Sequence, residues 1–424
     1  MPVELTISRL GSQGDGVAET DSGLVYVPFT LPGERVEADL AENGRSARLL
    51  RVLTPAANRT EPVCRHFGEC GGCSLQHMEL GSYHAWKRQR VEDALAAEHI
   101  AIAGGDEVAP LRTFPLGTRR RATLAASKTG SALQLGFRRA ASHDIVPLAE
   151  CPVLAPRIVA ALPGMGELLA RLLPQGETRV SLTAADNGLD VALEPASPRA
   201  KFAKLTSTMG AAAETLGVVR ITGAEGGLIF SATQPQVTLA GVAVDLPPGA
   251  FLQAVAEAEE AMAELAAEAI GKTRTAADLF CGLGTFTFAL ARRASVTAVE
   301  NDPASLTALE AAARRTQGLK PVKTLRRDLL REPLSPVELA AFGAVLFDPP
   351  RAGALAQAKM LAQARSKVPV VVAVSCNPAT FARDARALID GGYTLQRVTP
   401  VDQFVFSPHV EVVAAFTRPA ARRR

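Results

Sequence analysis

A chain of 424 residues is too long for one ordinary hydrophobic core and points to two or three domains. Its 47% apolar and 21% charged residues are those of a globular protein; no apolar run of 18 or more is free of charge, and MPVELTISRLGSQGDG lacks the apolar centre of a signal peptide, so a cytoplasmic protein without a membrane partner is expected. Net charge is only +3, but 37 of the 46 basic residues are Arg, with clusters at Arg119–Arg121, Arg138–Arg139 and Arg422–Arg424. Guanidinium groups bind phosphate with two parallel hydrogen bonds, which makes these clusters candidate nucleic-acid contacts, although high-GC coding enriches Arg and Ala in the same way.

From residue 1 to about 55, short β-like runs (VELTISRL, GLVYVPF, RVEADLA, SARLLRVL) alternate with Gly- and Pro-containing turns, the pattern of a small β-barrel. Next come Cys64, Cys70 and Cys73 in CRHFGECGGCSLQH, spaced C-x5-C-x2-C, with Cys151 following in LAECPVL. Disulfides are not expected in a cytoplasmic chain. Structural zinc sites usually use two short-spaced pairs, whereas three clustered thiols and one distant thiol suit a cubane iron–sulfur cluster, with zinc the alternative. Residues 108–248 stay strand-rich apart from a helix near 155–173, and an Ala/Glu-rich helix spans 254–269.

From 275 onward strands and helices alternate: TAADLF, a Gly turn, TFTFALARR, VTAVE, a helix over 303–317, PVKTLRRD, AVLFD, a helix over 354–366 and VPVVVAVS. This rhythm predicts parallel βαβ units and a doubly wound α/β sheet. In DLFCGLGTF, Asp278 ends a strand, and Gly282 and Gly284 form the turn into a helix, where a ligand can approach the backbone; Glu300, ending the next strand, is placed to bind ribose hydroxyls. The third glycine of a dinucleotide fingerprint is missing, so the order strand, DxFxGxG, helix, strand, Glu reads as a class I S-adenosylmethionine methyltransferase (a Rossmann-like fold). Asp328 in LRRDLL falls at the adenine edge of such folds, and FDPPRAG ends a strand with Asp348 before a rigid Pro-Pro rim.

Cys376, in VSCNPATFARD, sits at a strand's lip rather than inside it, where ligands meet an open α/β sheet. A thiolate there can add to C6 of a uracil and make C5 nucleophilic; Glu411 in SPHVEVVAAF, with His409 beside it, supplies the base that the later loss of the C5 proton requires. Cys281, inside the Gly turn, is assigned to packing.

These motifs, from GSQGDGVAETDSGLVYVPFTLPGERV and FGECGGCSLQH through LGFRRAASHDIVPLAECPVL to DLFCGLGTF, FDPPRAG, SCNPATFARD and HVEVVAAF, resemble the bacterial 23S rRNA uracil-5 methyltransferases with an N-terminal TRAM domain and a [4Fe-4S] cluster. The resemblance spans nearly the whole chain. It implies a TRAM-like, oligonucleotide-binding-like barrel over 1–56, a central iron–sulfur and RNA-binding domain over 57–75 and 108–250, and a methyltransferase domain over 76–107 and 251–424. It also implies Gln253, Phe280, Thr285, Glu300, Asp328 and Asp348 around S-adenosylmethionine, a cluster on Cys64, Cys70, Cys73 and Cys151, Cys376 and Glu411 as catalytic pair and rRNA as partner; the alternatives are a tRNA substrate or a catalytically inactive, redox-responsive RNA-binding protein, and a monomer is expected. Three stretches depart from the family pattern: Thr285 stands for Asn, QAV for QVN at Gln253–Val255, and FVFSPHVE for FPHTPHVE.

Overall fold

The computed structural model describes residues 2–140, 142–197 and 201–418; the Arg422–Arg424 cluster lies outside the described residues. Strands β1 (Pro2–Leu10), β2 (Gly16–Thr20), β3 (Gly23–Val27), β4 (Arg35–Leu40) and β5 (Ala47–Thr54) form an antiparallel sheet in the order β3-β2-β1-β4-β5. A bridge between Tyr26 and Ser46 joins its two edges, so the sheet closes into a barrel. Because side chains alternate along a strand, Leu5 and Ile7 of β1, Val25 and Val27 of β3, and Val36 and Ala38 of β4 all point into one core.

The cysteine-bearing segment then leads to α1 (Leu80–Ala97), capped by Glu79, whose carboxylate accepts from Gly81 N (2.8 Å) and Ser82 N (2.9 Å). The central sheet follows: β6 (Arg121–Thr129), β7 (Ala132–Arg138), β8 (Ile145–Pro147), α2 (Pro156–Leu172), β9 (Gly176–Ala185), β10 (Gly188–Pro195), α3 (Ser207–Thr215), β11 (Val218–Thr222) and β12 (Leu228–Ser231). Its order is β12-β11-β10-β9-β6-β7-β8, parallel only between β10 and β11. Helix α2 carries Ile158, Leu162, Met165 and Leu169 at helical spacing and buries them on Leu124, Val180, Leu182 and Val191. A hairpin of β13 (Gln236–Leu239) and β14 (Val242–Asp245) connects to the last unit.

That unit comprises α4 (Ala256–Ala269), β15 (Thr275–Leu279), α5 (Thr285–Ala291), β16 (Ser295–Glu300), α6 (Pro303–Arg315), β17 (Val322–Arg326), α7 (Pro336–Leu339), β18 (Ala344–Phe347), α8 (Leu355–Ala362), β19 (Val370–Ser375), α9 (Pro378–Asp390), β20 (Thr394–Val401) and β21 (Glu411–Thr417). The sheet order is β17-β16-β15-β18-β19-β21-β20. Strands such as AVLF of β18 are buried on both faces, hence their unbroken apolar runs. The parallel units predicted from 275 to VPVVVAVS are present in β15–β19, and β21, whose direction the alternation leaves open, runs antiparallel to both neighbours. The link between β20 and β21 is too short for a crossover helix, so the chain turns straight back and inserts β21 between β19 and β20. Helix α1 joins this unit: its Val91 and Leu95 share a core with Phe381 and Leu388 of α9.

Candidate active site

Strand order reverses between β15 and β18, and the carboxyl ends of β15, β16, β17 and β18 bring Phe280, Glu300, Asp328 and Asp348 to one edge of the sheet. Phe280 leaves β15 at φ 62, a left-handed conformation costly for a side chain with a Cβ. Gly284 has φ 100, and a Cβ there would lie 2.7 Å from the Phe288 ring, so this turn accepts only glycine. Glu300 pins the turn: Oε2 accepts from Gly282 N (3.2 Å), and Oε1 from Asn301 N (2.6 Å) and Asp302 N (3.0 Å). Asp278 lies buried behind it, accepting from Thr287 Oγ1 (2.5 Å), and burial pushes its carboxyl up to about 7. Asp328 follows β17 and accepts from Leu330 N (3.1 Å). Thr285 opens α5 and donates its hydroxyl to Glu259 Oε1 (3.0 Å). Gln253, just before α4, donates Nε2 to Asp348 Oδ2 (3.0 Å).

Cys376 and Glu411 meet because of register. Ser375 of β19 pairs with Val412 of the antiparallel β21, so the next step along each strand sets Cys376 against Glu411. Glu411 is 3% exposed; Oε1 accepts from Gln403 Nε2 (2.9 Å), while Oε2 has no partner among the described residues. Burial raises the Glu411 carboxyl, the neighbouring Asp348 raises it further, and Gln403, Arg351 and Lys87 oppose this. The Cys376 thiol is half-buried and pushed up to about 11, first by desolvation, then by Glu411 and Asp348, against Arg351. His409 faces Arg351, whose Nη2 donates to its Nε2 (3.2 Å); burial and that guanidinium lower the imidazole to about 4. It is therefore a neutral ring and a weak base.

Sequence reasoning misses two residues here and misreads a third. Arg351 carries a local signal, since it directly follows the Pro-Pro rim. Gln403 carries none, yet its Nε2 also donates to Gln253 Oε1 (2.6 Å) and its Oε1 accepts from Ala254 N (2.7 Å). Arg120 is misread as a phosphate contact. It is 6% exposed, pairs with Glu259 through Nη2 (2.7 Å) and donates Nε to the Gln253 carbonyl (3.1 Å), so it stitches the start of the central sheet to the loop before α4. Arg121 donates to the Leu252 carbonyl and stacks 4.9 Å from the ring of exposed Phe251. Arg138 and Arg139 pair with Glu177 and Glu69 and line an open groove that runs past Gln13 and Asp15 of the barrel to Pro408.

Cys64, Cys70, Cys73 and Cys151 all line one cavity, closed by apolar groups such as Phe67, Phe137 and Leu148, with half-buried Arg119 facing it. Burial, and the charge each thiolate would impose on the others, raise Cys64 and Cys70 and push Cys73 up to about 12. Gly72 N donates to Cys70 Sγ (3.4 Å). Among the described residues no three His, Cys, Asp or Glu side chains are placed to hold one metal ion; the four thiols surround a space instead of closing on a point. Cys281 is buried in the core, as a packing role requires.

Among the described residues no helix is long and apolar enough to cross a membrane. The family described as tRNA (Uracil-5-)-methyltransferase matches residues 241–418, and the TRAM domain matches residues 2–42. Over 420 residues, 98% of both chains, the protein is 46% identical to an uncharacterized RNA methyltransferase of Brucella suis biovar 1. It is 31% identical to the 23S rRNA (uracil(1939)-C(5))-methyltransferase RlmD of Shewanella denitrificans, over 98% of this chain and 95% of that one. Its fold matches the Pyrococcus abyssi tRNA (uracil-54, C5)-methyltransferase, solved with S-adenosyl-L-homocysteine, at a TM-score of 0.75, with 23% identity over 98% and 99% of the two chains. The fold is therefore that of a class I methyltransferase with an N-terminal barrel, and relatedness along the full length decides the rest: the chain belongs to the S-adenosylmethionine-dependent RNA (uracil-5-)-methyltransferase family.

Proposed function

We propose that the protein methylates C5 of a uridine in 23S rRNA, in the cytoplasm and as a monomer, with Cys376 as nucleophile and Glu411 as base. The observation that carries this reading is the antiparallel return of β21 beside β19, which sets a buried carboxylate oxygen, without a partner among the described residues, opposite a thiol at the sheet's ligand-binding edge. The full-length relationship to an rRNA enzyme favours rRNA over tRNA. A uridine must leave any stack to reach this edge.

Cys376 Sγ adds as thiolate to C6, and the C5–C6 π pair moves into an enolate over C5, C4 and O4, making C5 the nucleophile. Bound S-adenosylmethionine supplies the methyl group and leaves as the neutral thioether. C5 then bears both the methyl group and its original proton. Glu411 takes that proton, the C5–H pair re-forms the C5–C6 double bond, the C6–S bond breaks and the thiolate is returned. In the donor-free site burial and two carboxyls hold Cys376 as a thiol; the donor's positive charge and Arg351 act in the opposite sense. Gln253, Phe280, Thr285, Glu300, Asp328 and Asp348 are assigned to the donor, Glu300 to its ribose and Asp328 to its adenine edge.

Cys64, Cys70, Cys73 and Cys151 are assigned to a [4Fe-4S] cluster. Support comes from an all-thiol donor set around one largely apolar cavity, an N–H directed at Cys70 Sγ and an arginine facing the thiols. Such a cluster staples the segment between barrel and α1 to the central sheet. Residues 1–56 then serve as the TRAM domain, 57–75 with 108–250 as the central domain, and 76–107 with 251–424 as the methyltransferase domain.

The test uses 23S rRNA and tRNA transcripts, S-adenosylmethionine and a denaturing gel. Cys376→Ala is expected to form no covalent RNA–protein band and no 5-methyluridine while still binding S-adenosylhomocysteine. Glu411→Gln is expected to accumulate a band carrying methylated RNA, which the double variant lacks. An adduct in Cys376→Ala, or normal turnover in Glu411→Gln, defeats the assignment; methylation of tRNA alone defeats the substrate choice.

A further inference from the structure

Gln403 is 2% exposed, and every polar atom of its side chain is engaged. Ala254 N–H can only donate, so the atom it meets at 2.7 Å is the Gln403 carbonyl oxygen. The amide nitrogen is thereby turned towards Gln253 Oε1 (2.6 Å) and Glu411 Oε1 (2.9 Å), and one proton goes to each. Gln253, presenting its oxygen to Gln403, must present its nitrogen to Asp348. The amide orientations along Asp348, Gln253, Gln403 and Glu411 are thus set by a single backbone N–H. Glu411 is left with Oε1 held by one hydrogen bond and Oε2 without a partner among the described residues.

We propose that Gln403 is a positioning residue for both halves of the reaction: it holds Glu411 so that Oε2 takes the C5 proton, and it fixes Gln253 in the orientation that receives the methyl donor. This rests on the function proposed above and extends it to a residue assigned to neither substrate. Donor affinity and adduct breakdown then share one side chain, although Gln253 and Glu411 do not bond to each other.

The discriminating readout is a pH profile. Asp348 from the end of β18, Cys376 from the end of β19, Arg351 from the loop after β18 and Lys87 from α1 act on Glu411, and all remain in a Gln403 variant. Removing the amide donor takes away a hydrogen bond to the charged carboxylate, so more alkaline solution is needed to generate the base. With 23S rRNA transcript, Gln403→Met is expected to slow decay of the covalent species by roughly 10- to 100-fold and to move the midpoint of the decay profile up by about one pH unit. Its affinity for S-adenosylhomocysteine should fall about 10-fold. Gln403→Glu keeps the shape and the acceptor for Ala254 N but sets an oxygen against Gln253 and Glu411. It should shift the same two readouts in the same direction, and it serves if the Met variant does not fold. Decay with an unmoved pH midpoint in folded variants overturns the proposal, because loss of packing alone changes rate without changing the profile. Absence of any adduct in the parent enzyme and in Glu411→Gln defeats the parent reading instead; the S-adenosylhomocysteine affinity then still decides whether Gln403 sets Gln253.

Discussion

Replacing Arg120 by Met leaves Glu259 with no cation in a site where its side chain is 5% exposed. Burial already raises that carboxyl despite the guanidinium, the largest opposing influence, so desolvation is severe before the change is made. Breaking a buried pair from one side costs roughly 3–5 kcal/mol, most of it the penalty of the stranded charge. The loss of the bond from Nε to the Gln253 carbonyl adds about 1 kcal/mol. Urea denaturation followed by the fluorescence of Trp86, the single tryptophan, on α1 should show this as a lower midpoint. The double variant Arg120→Met/Glu259→Met removes both charges and should recover most of the loss. A phosphate contact behaves differently: removing one flattens the log–log salt dependence of RNA binding by about 0.7 to 0.9. The expected result is a large fall in stability with no change in salt slope. A flattened slope with unchanged stability would refute the argument and return Arg120 to the RNA surface.

Substituting Arg138 and Arg139 together by Gln should lower the salt slope with little effect on stability, since Arg139 is exposed, Arg138 half-exposed and their ion pairs with Glu177 and Glu69 are solvated; an unchanged slope would take the groove out of the RNA path. His77 is enclosed by Phe29 (6.5 Å) and Phe67 (5.4 Å), and burial lowers its imidazole to about 4. The unfolded chain binds a proton near pH 6.5 that the folded chain refuses until about pH 4, so stability is full above 6.5 and falls by about 3 kcal/mol as pH drops to 4. His77→Phe should abolish that slope in acid denaturation, and a slope that persists would place the titration elsewhere. Protein purified anaerobically should be brown with about four irons per chain, and Cys151→Ser should lose the colour and lower stability; stoichiometric zinc without iron would refute the cluster.

What the sequence made readable is mostly local. Gly284 and the strands either side of it, Glu300 closing VTAVE and the Pro-Pro after Asp348 are short-range patterns, and each falls on the sheet edge where a ligand binds. What it hid depends on partners far along the chain. Arg120 reads as surface charge because Glu259 lies 139 residues away, and Gln403 reads as nothing because its partners lie at 253, 254 and 411. The antiparallel β21 escaped because an apolar run shows burial but not direction. The four cysteines are an intermediate case: three share a loop, and only the fold of the central sheet brings Cys151 to their cavity.

Helix α1 has a bearing on how the molecule is assembled. Tyr83 donates to Asp402 across 319 residues (2.7 Å), Lys87 binds the same carboxylate across 315, and Phe406 N donates back to Tyr83 Oη (2.8 Å). The loop that leads into Glu411 is thus held by a helix synthesised before the whole central sheet. During translation α1 must wait, with Val91 and Leu95 uncovered, until α9 and the final hairpin emerge, a long-range closure of the kind that slows folding and exposes chains to aggregation. A fragment cut at residue 251 keeps every residue assigned above to methyl transfer yet leaves Asp402 without its cation. The smallest piece that folds around this active site therefore begins before residue 80.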